Sequence, residues 1–159
     1  MKFGLTAAVI GSGYMGEKYL EILSCLADCL ILCSNDEEKG KALAKKYNCE
    51  FYTDYNLLYN DKKPDFVCVC LPTHLHCDAT VKALNSGFHV LCEKPLEKES
   101  FSKFFGNDDS LFNELNYFCH IIESGSAPSL CPPEETLATM LLSHSESISL
   151  NSGKEVKIC

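Results

Sequence analysis

The sequence predicts an α/β fold: a doubly wound parallel sheet, with C-terminal helices packing back on it. Three observations carry this expectation. Apolar runs and helical periods alternate from the start to about residue 98, the order that builds a parallel sheet through crossover helices. The runs are continuous rather than every second residue, as in strands covered on both faces. The first run ends in Gly11, Gly13 and Gly16, placed as a strand-to-helix turn requires.

Taken in order, Leu5–Gly11 is the first buried strand. Tyr19, Ile22, Leu23 and Leu26 then repeat at helical spacing, and Cys25 and Cys29 fall one helical turn apart. Cys29–Ser34 is a second buried strand. Asn35–Tyr47 reads as a polar-led helix capped by Asn35 or Asp36, whose acidic run Asp36-Glu37-Glu38 suits the positive end of the helix dipole. Cys49–Thr53 is a short third strand, and Asp65–Pro72 a fourth, stopped by its proline. Leu75–Gly87 is a helix ended by glycine, and His89–Pro95 supplies the fifth strand and its exit. The pattern breaks over residues 98–110. Two helical stretches follow, Leu111–Gly125 and Pro133–Gly153, with Leu111, Leu115, Phe118 and Ile122 on one face of the first and Leu137, Met140 and Leu141 on one face of the second. Lys154–Cys159 is expected to close the chain as a short strand.

Bulk properties narrow the function. At 159 residues the chain is long enough to bury roughly 70% of its unfolded surface in one domain. Its net charge of −8 disfavours nucleic acid and anionic lipid as partners. No apolar run reaches the roughly 20 residues a membrane helix needs. The 11 cysteines are odd in number and contain no C-x-x-C pair, which argues against a disulfide framework or a zinc site. Most are expected to be small buried hydrophobes in a reducing cytoplasm, since Met1–Gly11 enters the glycine turn with no cleavage site. No metal is expected.

The glycine turn carries the chemistry. In G-x-G-x-x-G, Gly11 permits the tight turn, Gly13 lets backbone approach a pyrophosphate, and Gly16 lets the helix pack closely on the sheet. Tyr14 and Met15 open that helix, whose unpaired N–H groups favour an anion. The cofactor expected is NAD or NADP. A carboxylate at the end of the second strand holds the ribose of NAD; here Ser34 and Asn35 stand there, with Asp36 two residues late and Lys39 a weak attraction for a 2′-phosphate. The choice between the two stays open at this point.

Two further motifs bring a family into view. Pro72-Thr73-His74-Leu75-His76 follows the fourth strand, and Gly87-Phe88-His89-Val90-Leu91-Cys92-Glu93-Lys94-Pro95 surrounds the fifth. With the glycine turn and the C-terminal stretch, the chain resembles the glucose–fructose oxidoreductase / inositol dehydrogenase (Gfo/Idh/MocA-type) family over residues 7–98 and again over 111–158. The resemblance implies an NAD(P)-binding Rossmann domain and hydride transfer between a sugar or polyol and the nicotinamide. It implies Lys94 as the catalytic residue assisting proton transfer. It also implies Leu71, Pro72, Thr73, His76 and Glu93 as cofactor-pocket residues.

The resemblance divides the chain into a Rossmann domain (1–98), a linker standing in for the substrate domain (99–110), and a return segment packing on the Rossmann domain (111–159). The family's Asp/His catalytic pair has no counterpart: after Lys94 the aspartates are Asp108 and Asp109, and neither has a histidine four residues on. His120 and His144 read as ordinary helix residues, and His74 as exposed. Phe101, Phe104 and Phe105 are expected at a repacked seam or a dimer contact. Two functions stand side by side: an NAD(P)-dependent oxidoreductase of this family, or a dinucleotide-binding module without catalysis, acting as a sensor or a partner subunit. The partners expected are the dinucleotide, a sugar or polyol, and a second copy or partner subunit.

Overall fold

The computed structural model describes residues 2–94, 108–130 and 132–157. The chain divides into two compact units, Met1–Gly125 and Ser126–Cys159. The first holds five strands: β1 (Phe3–Ile10), β2 (Ala27–Cys33), β3 (Glu50–Tyr52), β4 (Phe66–Val69) and β5 (His89–Cys92). Its helices are α1 (Tyr14–Leu26), α2 (Glu37–Tyr47), α3 (Tyr55–Asp61), α4 (His76–Asn85) and α5 (Asp108–Ser124), with a short 3₁₀ turn at Thr73–Leu75. The strands are all parallel and lie in the order β3-β2-β1-β4-β5.

Side-chain alternation along each strand creates two separate cores. Ala7 and Val9 of β1, Leu30 and Leu32 of β2, and Phe66 and Cys68 of β4 face one side, where α1 contributes Tyr19, Leu20, Leu23 and Leu26. Ala8 and Ile10, Ile31 and Cys33, and Val67 and Val69 face the other, covered by Leu58 and Tyr59 of α3 and Ala79 and Ala83 of α4. Continuous apolar runs in the sequence are therefore two interleaved faces, each with its own cover.

The first C-terminal helix closes over the sheet. Leu115 and Cys119 of α5 are fully buried in the α1-side core, with Leu111, Phe118 and Ile122 packed against it. The Phe118 ring meets Phe66 edge-on, with centroids 5.5 Å apart, a geometry that adds about 0.5–1.5 kcal/mol to the area buried. The second unit holds α6 (Pro133–Ser152), which ends at Gly153 in the left-handed conformation, φ 64°. Its Leu137, Met140 and Leu141 are exposed.

Several expectations are corrected. Helix α3 was not anticipated. Cys25 and Cys29 do not share a helix, because α1 ends at Leu26 and Cys29 lies in β2. Lys154–Lys157 form no strand, and Ile158 and Cys159 lie outside the described residues. Of the nine described cysteines, only Cys33, Cys68, Cys70 and Cys119 are buried; Cys25, Cys29 and Cys77 are exposed. The phenylalanines at 101, 104 and 105 also lie outside the described residues. Residues 108–110, assigned to the linker, begin α5 instead.

Candidate functional site

All five strands point their C-terminal ends to one edge, and the chain reverses direction across the sheet between β1 and β4. A crevice opens there, where the loops after neighbouring strands diverge. The ladder continues past the strand ends and fixes the loop bases. Gly11 N–H donates to Cys33 O at 2.8 Å, Cys70 N–H to Ile10 O at 2.8 Å, and Glu93 N–H to Val69 O at 2.9 Å.

Four loops line one cavity of about 570 Å³. From the turn after β1 come Gly11, Ser12, Gly13, Tyr14 and Met15. Asn35, Asp36 and Lys39 come from the β2–α2 turn. The β4 exit adds Cys70, Leu71, Pro72 and Thr73, with His76 at the start of α4, and the β5 exit adds Glu93 and Lys94. The sequence motifs, from Gly11 to Lys94, thus meet around one space.

The three glycines separate cleanly by cause. Gly11 has φ +114°, and a Cβ there would collide with the Cys70 carbonyl. A Cβ on Gly16 would collide with the Gly11 carbonyl, so Gly16 lets α1 begin hard against the turn and lies behind the cavity wall. Gly13 differs. Its φ of −65° suits any residue, and among the described residues no atom lies within 4 Å of the position a Cβ would take. It caps α1 with no side-chain hydrogen bond, which leaves the first turn of α1, whose Tyr14 and Met15 line the cavity, without a side-chain cap.

Ser34 does not line the cavity. It is buried, and its hydroxyl meets that of Ser12 at 2.7 Å and accepts from Asp36 N–H at 3.1 Å. Asn35, Asp36 and Lys39 take that part of the wall instead. Asp36 caps α2, its Oδ1 accepting from Lys39 N–H at 3.1 Å. His76 is 1% exposed, and its Nε2 lies 2.5 Å from Leu71 O. A carbonyl only accepts, so Nε2 carries the proton and the ring clamps the β4 exit. Lys94 is exposed at the far end of the wall, and Pro95 lies outside the described residues. His74, His120 and His144 are exposed and line no part of it.

Four lining residues were absent from the predicted set: Ser12, Asp36, Lys39 and Cys70. Ser12 is the variable residue between two motif glycines, and Cys70 the first residue beyond the β4 alternation. Position relative to the strand ends would have signalled both. Burial drives the Cys70 thiol well above its ordinary pKa, with the Glu93 and Cys92 charges adding to it. Burial likewise raises Cys33 to about 12. These are packing thiols, not nucleophiles. Among the described residues no cluster of three His, Cys, Asp or Glu could hold a metal, and no helix is long and apolar enough to cross a membrane.

Residues 5–103 match the GFO_IDH_MocA family, an oxidoreductase family with an NAD-binding Rossmann fold. The chain belongs to this family. A D-glucoside 3-dehydrogenase from Escherichia coli is 37% identical over 95 residues, covering 57% of this chain and 27% of the relative. A 2,7-anhydro-N-acetylneuraminate hydratase from Mediterraneibacter gnavus is 33% identical over 89 residues, covering 56% and 24%. Among solved structures, a myo-inositol dehydrogenase from Lactobacillus casei, in complex with NAD(H) and myo-inositol, superimposes with a TM-score of 0.55 at 28% identity, over 58% of this chain and 29% of that one. The chain therefore spans about a quarter of the length of these Gfo/Idh/MocA relatives. Its sheet is the family's NAD(P)-binding domain, and the cavity lies at the edge where that domain takes its dinucleotide.

Proposed function

We propose that this cavity binds NAD or NADP and that the chain serves hydride transfer between a sugar or polyol and the nicotinamide. The observation that carries the reading is Gly13. The fold accounts for Gly11 and Gly16 by collision and backbone angle, but none of the described residues requires a glycine at 13. The missing side chain keeps open a space beside uncapped helix N–H groups, which is what a pyrophosphate needs. The myo-inositol dehydrogenase that shares this fold holds NAD(H) and a polyol together.

In this reading Gly11–Met15 cradle the diphosphate. Leu71, Pro72 and Thr73, held by His76, border the ribose and nicotinamide. Glu93 and Lys94 stand at the reacting end, Lys94 relaying the substrate hydroxyl proton. The nicotinamide, when bound, supplies the hydride acceptor. Residues 1–98 are the dinucleotide domain, the stretch from there to Asp108 stands in for a substrate domain, and Asp108 onward is a return segment in which α5 carries the packing on the sheet. We place the protein in the cytoplasm, in keeping with nine described cysteines that are all unpaired thiols.

The test is a titration with NADH and NADPH, followed by the cofactor's own fluorescence. Gly13→Asp is expected to abolish binding, because its side chain and charge enter the phosphate space, while thermal unfolding stays close to wild type. Retained binding would refute the reading. In a screen of sugars and polyols for cofactor reduction, Lys94→Ala is expected to cut turnover by about 10²–10⁴ with binding kept. Binding without turnover on any of them would leave a non-catalytic dinucleotide module.

A further inference from the structure

The wall built after β2 bears on which dinucleotide the site takes, an inference that rests on the dinucleotide reading above. We infer that the cavity prefers a 2′-phosphorylated dinucleotide, with Lys39 as the cation that receives the phosphate. A carboxylate at the end of β2 accepts a ribose hydroxyl and repels a phosphate there. In this chain the position holds Ser34, neutral and 4% exposed, with its hydroxyl turned to Ser12 at 2.7 Å.

The carboxylate that does line this end, Asp36, has one oxygen engaged in the helix cap. Its Oδ1 accepts from Lys39 N–H at 3.1 Å as the cap of α2, and its own N–H donates to Ser34 Oγ. Lys39, the third residue of α2, lines the same end of the cavity. The acidic groups around it are partly neutralised by other lysines: Glu37 pairs with Lys41 at 2.6 Å, and Glu17, whose carboxylate also senses the Lys39 charge, pairs with Lys46 at 3.0 Å. The positive end of the α2 dipole adds to the attraction. A neutral residue closing β2 behind the wall, a carboxylate with one oxygen held by the helix cap, and a lysine on the wall carry the inference.

Three proteins, each titrated with NADPH and NADH by cofactor fluorescence at fixed salt, test this. Wild type is expected to bind NADPH about tenfold more tightly, the scale of one hydrogen-bonded charge pair. Lys39→Ala should bring the two affinities together by weakening NADPH alone. Asp36→Asn keeps a good cap and removes the carboxylate at this end of the wall, so NADPH should gain on NADH. Equal binding or an NADH preference in wild type would overturn the inference. So would equal weakening of both cofactors by Lys39→Ala, or a loss of NADH affinity in Asp36→Asn, which would make Asp36 the ribose acceptor. Failure of wild type to bind either cofactor would remove the dinucleotide reading, and this inference with it.

Discussion

Glu114 shows how a single residue can set the local electrostatics on α5. It is exposed on α5, and partial loss of solvent around its carboxyl, reinforced by the charge of Glu93, raises its pKa above the ordinary carboxylate value. The folded chain therefore holds this proton more tightly than the unfolded one. The contribution to stability is complete below the unfolded value of about 4.5 and is lost as pH rises through the raised folded value. Glu114→Gln is expected to be more stable than wild type at neutral pH, with the difference vanishing near pH 4; urea unfolding at the two pH values measures it. A constant difference across that range would show that the group titrates normally. Tyr19 lies in the same region, its phenol pushed up by burial first and by the charges of Cys68, Glu93, Cys70 and Glu114 after that.

At the scale of elements, α5 decides how much of the tail belongs to the nucleotide domain. Leu115 is fully buried between α1 and β1. Leu115→Ala should lower the unfolding free energy by about 2–5 kcal/mol, read from the urea midpoint. A change within about 0.5 kcal/mol would mean that α5 is an appendage. The amphipathic face of this helix was legible in sequence, as were all five strands; in β1, β2 and β4 burial on two faces writes the continuous apolar runs. Helix α3 was not legible. Tyr55–Asp61 spans fewer than two turns, buries only Leu58 and Tyr59, and starts from an Asp54 cap that resembles a loop residue. The cavity was legible where a motif fixes backbone shape, as at Gly11 and Gly13. It was not legible at Ser34, where one hydrogen bond to Ser12 turns the side chain out of the wall.

For the whole molecule, the described residues of both cores lie within the first unit, Met1–Gly125. A chain ending at Gly125 is therefore expected to unfold in one cooperative transition, with the midpoint of the full chain, and to keep its dinucleotide affinity. Loss of the transition would assign residues 126–159 a structural role. The hydroxyl contact between Ser12 and Ser34 has a thermodynamic corollary. It anchors the glycine turn to the second strand before any ligand arrives, so the turn surrenders little conformational freedom on association. Calorimetry of wild type against Ser12→Ala should show this as a larger entropic penalty in the variant, the signature of a cradle that is rigid beforehand.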